Sequence, residues 1–569
     1  MNRLAQALPR LTRSPLFWIL LAALALRLAG IWWGLPAADG WDDDGVAPRN
    51  FLVGIIQTYT PGAHFTYPPL HMLLLAVLTA PGWIVALFHA PALNQQGIIG
   101  EIIQVPYMTF FAVVARLVGI AMSLATIAVI GKMGETIGGR RAGLFAAAAA
   151  ALDAALVYYG QVTNLDGPYL FWAALSLWGW MRVIAGHDLR AIGWAALAAA
   201  AAMATKDQAY AVFLSVPAAL LLWFALDPWP RQNARQVLVP LFAWTGMALL
   251  ALFLIDGAIT NPSGFAARIA FLAGPASGDY AQYQASWLGR AALLQDIWSN
   301  APRYYPQLAI LLGGYGLWLT IRRQFHDGPR LVAGLLPLLA MLSFTLAFNF
   351  VALRTETRFL LPQSLFIAVY IGIAAERLCF LSHPRLQTGA RAAVLALAAF
   401  ALLHDAAVAA AFVADPRYDA EHWLSAHLRP GDRIETYGLN AYLPRFPAGA
   451  AVGRVGPLKA RNPLPGIEEV VQPYDAVETR NPRFIVVSAW WVRDYLQPVP
   501  SAPGYGRVVQ KVRQADFGER TARRYFQALF TGKYPYRLAH KSVYSLGIPP
   551  PLNAYESLAQ GIYLFERVK

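Results

Sequence analysis

The chain is poor in charge and nearly empty of cysteine, and each shortage excludes something. Only 14% of its 569 residues are Asp, Glu, Lys or Arg, against 57% hydrophobic, a balance foreign to soluble globular domains. The single cysteine, Cys379, rules out an intrachain disulfide and a thiolate zinc framework. His64 and His71 are too far apart in sequence to read as a metal motif. No internal repeat stands out, and beyond residue 413 there is no further apolar run of about 20 residues. The net charge of +14 does not point to nucleic acid. In a polytopic protein excess Lys and Arg belong at cytoplasmic helix ends and near anionic headgroups.

What is present is a series of long Leu- and Ala-rich runs, with a mean hydropathy of +0.42. Runs of this length and composition are membrane helices, since barrel strands would alternate. The first, LFWILLAALALRLAGIWWGLP, follows a basic stretch and ends in Trp32 and Trp33. It is too long for a signal core and reads as a retained helix with a cytoplasmic N-terminus. Basic connections at 131–141, 186–190, 227–235, 321–330 and 383–391 are assigned to the cytoplasm, which places those near 166, 206, 256–302 and 356 outside. The segment 67–90, YPPLHMLLLAVLTAPGWIVALFHA, would invert every later loop if it crossed. With Pro68, Pro69 and Pro81 it reads instead as a juxtamembrane or re-entrant element.

This threading predicts a polytopic α-helical membrane protein with about 11 spans. Its transmembrane domain covers 1–412, its first external loop runs from about 37 to 106, and a soluble extracytoplasmic α/β domain covers 413–569. In that tail YDAEHWLSAHLRPGDRIETYG predicts helix, turn and strand, and RFIVVSAWW (483–491) predicts a buried strand.

The outer ends of these helices gather charge from distant parts of the chain: Asp42, Asp43, Asp44, Asp166, Lys206, Arg354, Glu356 and Arg358. Charge beside a hydrophobic helix end is costly unless paired or hydrated, so these residues predict a shared polar cavity. Three adjacent carboxylates in GWDDDG repel one another and need a cation or a task. Carboxylates with cations at a membrane surface suit sugar transfer from a polyprenyl phosphate to a hydroxyl. A base takes the acceptor proton, positive charge steadies the departing phosphate, and direct attack inverts the anomeric centre. A transporter or flippase, and a polysaccharide polymerase or ligase, are the competing readings. Arg27 and Arg116 lie in or near apolar helices, where snorkelling or pairing accounts for them as well as phosphate contact does, and Asp153 reads as a cavity residue or a helix-packing polar group.

The motifs WDDDG, TYPPLHMLLLA, GRRAGLFAAAAAALDAALVYYGQVTNLDGPYLFWAALSLW and AAMATKDQAYAVFL, in that order, resemble the GT-C superfamily of polyprenyl-phosphate-dependent glycosyltransferases. The similarity is greatest to the protein O-mannosyltransferase and aminoarabinose transferase group. It is strongest over 16–225, weaker through RTETRFLLPQ, and reaches DPRYDAEHWLSAHLRPGD. The resemblance implies a GT-C fold in the inner (plasma) membrane, with a polyprenyl-phosphate sugar donor and a glycan, lipid or protein acceptor. It places the acidic pair on Asp43 and Asp44, with Asp42 as the alternative partner, and a second catalytic acid on Asp166. Substrate contacts are expected at Asp42, Tyr67, His71, Lys206, Arg354 and Arg358. No cofactor is required, although a divalent metal held by Asp43 and Asp166 stays open. The chain departs from the group in having Asp-Asp where many members have Asp-Glu, and Tyr67-Pro68-Pro69 where aminoarabinose transferases have Lys-Pro-Pro.

Overall fold

A computed structural model describes residues 13–42, 45–274, 278, 280–460, 463–496, 519–544, 555 and 557–568. Asp43 and Asp44 lie outside the described residues. The chain is mostly helical from Pro15 to Val413 and then builds a sheet domain. Among the described residues six helical stretches are long and apolar enough to cross a membrane, and a seventh arises if Leu70–Leu78 and Ala80–His89 count as one. That pair is bent by 63°, with Pro81 in the first turn of its second half. Apolar helices Pro15–Leu28 and Ala191–Met203 are shorter.

The stretch Val105–Ala151 contains a reversal. Gly139 has φ 82° and ψ 177°, a conformation that glycine alone adopts easily. Beyond it the chain runs back along itself: a Cβ on Gly143 would lie 2.5 Å from the carbonyl of Gly131, and one on Gly134 would lie 2.7 Å from Ala146. Twelve residues of straight helix would hold positions 131 and 143 about 18 Å apart. The basic segment 131–141 is therefore where two antiparallel helices join, and the small residues allow their backbones to touch.

The same close approach holds Gln307–Gln324 against Leu361–Cys379, where a Cβ on Gly316 would fall 1.9 Å from the Tyr370 carbonyl. The Tyr370 hydroxyl accepts from Leu338 N–H (3.0 Å) and donates to Gly334 O (2.8 Å). It thereby bridges the helix ladder beside Pro337 in Gly328–Phe344. These helices flank the RTETR segment and fix its ends.

After Pro384–Val413, helix Pro416–His427 leads into the sheet. Its strands are β1 (Arg433–Tyr437), β2 (Ala451–Gly456), β3 (Ile467–Val471), β4 (Phe484–Ser488), β5 (Tyr536–Ser542) and β6 (Ile562–Arg567), in the order β3-β2-β1-β4-β6-β5. The first four run parallel, and the β4–β6 and β5–β6 pairs are antiparallel. Parallel strands covered on both faces read as unbroken apolar runs, and all five residues of β4 are buried. Ile485 and Val487 face Tyr525 and Phe526, whereas Phe484 and Val486 face Ala420 and Leu424. The expected strand 483–491 is shorter than its apolar run, because its pairing with β6 stops at Ser488. Ala489–Leu496 is a helix, and apolar runs alone do not separate the two.

Asp415 joins the sheet domain to the helices. Its carboxylate accepts from the Trp33 indole (3.0 Å) and from Arg417, which also donates to the carbonyls of Ala441 and Ser557. The Arg417 guanidinium lies 3.9 Å over the ring of Trp41, the residue before the acidic triplet.

The glycine contacts give a paired test on one helix. Gly316→Ala drives a methyl into a backbone carbonyl and is expected to cost about 3 kcal/mol or more, seen as a large drop in the melting temperature of purified protein. Gly314→Ala meets nothing within 4 Å and is expected to be neutral or stabilising by up to about 1 kcal/mol. Equal melting temperatures for the two variants would refute this packing.

Candidate functional site

Two charged segments meet at one end of the bundle. Asp166 opens helix Asp166–Gly186, and Lys206 precedes the short 3-10 turn Asp207–Ala209. Lys206 Nζ lies 2.6 Å from Asp166 Oδ1, and both side chains are buried. The Gln208 amide donates to Asp166 Oδ1 (3.4 Å) and to the Tyr169 hydroxyl (3.2 Å), and Asn164 accepts from the Asp166 backbone N–H (2.7 Å). Asp166 Oδ2 is buried with no partner among the described residues.

The RTETR loop brings the remaining cations. Phe359 is the point of convergence: Arg354 Cζ lies 4.5 Å from its ring centre, Arg358 Cζ 4.9 Å and Lys206 Nζ 5.8 Å. A ring face attracts cations, so one phenyl group gathers three positive charges from segments about 150 positions apart. Glu356 holds Arg354 through Nε (3.0 and 3.1 Å) and Nη2 (2.6 Å).

The acidic loop is tied to the same region from its two described ends. Asp42 Oδ2 accepts from Arg116 Nη2 at 2.6 Å and Oδ1 from the Thr163 N–H at 2.9 Å. Both oxygens are thus engaged, and the side chain is 2% exposed. Arg116 also donates to the carbonyls of Gly30 and Ile31. On the far side of the triplet, Val46 N–H donates to Thr163 O, and a Cβ on Gly45 would strike Thr163 Oγ1 at 2.4 Å. Both flanks of Asp43 and Asp44 therefore rest on Thr163, three positions before Asp166. Tyr67 precedes and His71 belongs to the neighbouring helix Leu70–Leu78, whose Leu70 N–H donates to Ala204 O, two positions before Lys206. Tyr67 packs against Phe65, and His71 is buried.

Sequence reasoning passed over several residues here. Asp39, next to the loop, has its carboxyl pushed up to about 6 by burial, against the pull of Arg49 and with the help of Asp42. Asp207 lies 3.5 Å from Arg268, which bonds Asp256 at 2.8 Å. Asp207 was visible beside Lys206, but nothing around Arg268 in GFAARIAF marks it. Gln208 and Phe359 are neutral and gave no charge signal. Arg27 donates to Ser123 (2.8 Å), and Asp153 caps helix Ala154–Tyr159, so both work inside the bundle. Among the described residues no three His, Cys, Asp or Glu side chains converge to hold a metal.

Residues 108–256 match the family model of dolichyl-phosphate-mannose-protein mannosyltransferase. The resemblance read from the sequence is borne out over that segment. It holds Asp166, Lys206, Arg116 and Asp207 but neither the acidic triplet nor the RTETR loop. Solved structures similar to this chain include the oligosaccharyltransferase of Archaeoglobus fulgidus tethered to an acceptor peptide, at 13% identity, covering 97% of this chain and 88% of that one with a TM-score of 0.46. Another is ArnT from Cupriavidus metallidurans bound to undecaprenyl phosphate, at 13% identity, covering 86% and 96% with a TM-score of 0.45. No curated protein sequence matches.

The Arg116–Asp42 pair is testable by itself. Arg116→Leu leaves a buried carboxylate without its cation and is expected to cost about 3–5 kcal/mol. The double variant Arg116→Leu, Asp42→Asn should recover part of that loss in a thermal melt. A single Arg116 variant that melts like the parent would rule the pair out as an anchor.

Proposed function

We propose that this chain is an inverting membrane glycosyltransferase that moves a sugar from a polyprenyl-phosphate donor to a hydroxyl of a glycolipid, glycan or protein acceptor. The observation that carries the reading is the gathering of Lys206, Arg354 and Arg358 on Phe359, next to the buried Asp166. The family matched by residues 108–256 supports it. In this reading the chain spans the inner membrane about 11 times, the bent pair 70–89 lies along the surface, and the sheet domain stands outside.

The acceptor oxygen attacks the anomeric carbon on the face opposite the phosphate. The bond from that carbon to the phosphate oxygen breaks, and its electron pair leaves with the phosphate. Charge gathering there is met by Lys206, Arg354 and Arg358, which are already placed and need little reorganisation. The acceptor proton passes to an Asp carboxylate of the first loop, Asp43 ahead of Asp44. Asp166 uses its Oδ2, which has no partner among the described residues, to orient the acceptor. A divalent metal, where one takes part, would be held by Asp43 and Asp166 and would add positive charge at the phosphate. Asp42, bound at both oxygens, braces the loop.

Labelled-sugar transfer in membranes is expected to fall at least about 100-fold in Asp43→Asn or Asp44→Asn, and by a similar factor in Lys206→Ala. Release of free polyprenyl phosphate should accompany each transfer. Movement of the lipid donor across vesicles without release would identify a transporter instead. Rates like the parent's in all three folded variants would sink the assignment.

A second measurement separates the acids. The raised carboxyl of Asp39 becomes charged as pH climbs through about 6, so a base at Asp39 would give an acid limb near that pH. We expect any such limb to survive in Asp39→Asn, leaving the base at Asp43 or Asp44. Its disappearance there would transfer the role to Asp39.

A further inference from the structure

The cationic loop hangs from one asparagine. Helix Gly328–Phe344 does not end cleanly but widens into a π turn, Thr345–Asn349, followed by Phe350–Ala352 and by Leu353 at φ 54°. Such widened turns are uncommon and cluster at functional sites. This one ends on Asn349, which is fully buried. Its Nδ2 donates to Arg354 O and to Phe359 O, each at 3.0 Å, so one amide group grips both ends of the segment that carries Arg354, Arg358 and the Phe359 ring. Asn349 Oδ1 accepts from Gln363 Nε2 (2.8 Å), which also donates to Thr345 Oγ1 (3.0 Å) inside the π turn. The helix before the loop and the helix after it are thereby joined through the same side chain.

Other bonds to the loop come from different elements and grip different atoms. Gln282 and Asp296 hold Thr355, and the Tyr304 hydroxyl donates to Thr357 O. Asn349 alone among these takes the first arginine's carbonyl and the phenylalanine's carbonyl together, which sets the spacing between the guanidinium groups and the ring. An electrostatic site aimed at a phosphate depends on placement to well under an ångström. An aspartate at 349 keeps the volume and turns two attractions into repulsions between oxygens; a leucine keeps much of the volume and removes both bonds.

Resting on the glycosyltransferase reading, we propose that Asn349 is a positioning residue that holds Arg354 and Arg358 on Phe359 and so sets the affinity for the donor phosphate. It touches no substrate. Asn349→Asp and Asn349→Leu, in full-length protein in lipid nanodiscs, are compared with the parent for sugar transfer, for binding of polyprenyl phosphate alone, and for amide hydrogen exchange. Expected are a donor KM and a polyprenyl phosphate Kd raised about tenfold or more, a kcat lowered as well because the same cations meet the charge on the departing phosphate, and an acceptor KM changed less than about threefold. Exchange should quicken across 353–360 and stay unchanged in β1 and β4. Asn349→Ser, able to donate to one carbonyl, should fall between. Parent-like exchange at 353–360, or an acceptor KM raised as much as the donor KM, would overturn the proposal. A parent protein that neither binds polyprenyl phosphate nor transfers sugar would defeat the glycosyltransferase reading and with it the affinity role. The exchange data would then still decide whether Asn349 holds the loop.

Discussion

An ammonium group at the end of an apolar helix must find a carboxylate, and the pairing of Lys206 with Asp166 is the contact on which this end of the molecule depends. It joins the start of one helix to the end of another forty positions later. Gln208 reinforces it from the following turn, and the Phe359 ring closes over the lysine from the far half of the chain. Taking either partner away would leave a buried charge, costlier than losing a surface pair by several kcal/mol. A polar chamber among apolar helices therefore persists only while its charges stay matched.

The same rule governs the ties around it. Asp42 is matched by Arg116, Asp256 by Arg268, Glu356 by Arg354 and Asp415 by Arg417. Each uses arginine, whose planar fork suits a carboxylate, and in Arg116 and Arg417 the fork also reaches backbone carbonyls. Arg116 and Arg417 both lie against the Trp33–Trp41 pair, which meets edge to face at 5.9 Å. The sheet domain is thus coupled through aromatic rings to the loop that carries the acidic triplet. Strain or movement at that joint would be felt at Asp42 first.

Much of this was legible from the sequence and some of it was not, for reasons visible residue by residue. Asp166, Lys206, Arg354 and Arg358 stand out because charge beside an apolar run is conspicuous. Their convergence was an inference from topology, and Phe359, the group on which three of them meet, looks like any other apolar residue. Arg116 and Asp42 could each be seen, but pairing across more than seventy positions cannot be read from one chain. The strand at 484–488 was legible from its β-branched run; its end was not, since β6 sets it from seventy residues downstream. The chain reversal at Gly139 falls within 131–141, which its basic residues already mark in the sequence as a connection between two helices.

Within the acidic triplet, Asp42 is bound on both sides. A residue whose two carboxylate oxygens are both engaged by buried donors has no lone pair well placed for a substrate proton, and Asp42 is in that position. Asp42 and Gly45, the described residues that flank the other two aspartates, both pack on Thr163, three positions before Asp166. Three adjacent carboxylates in a sequence would repel one another, and the pairing of Asp42 with Arg116 offsets part of that repulsion at the one member whose contacts are described.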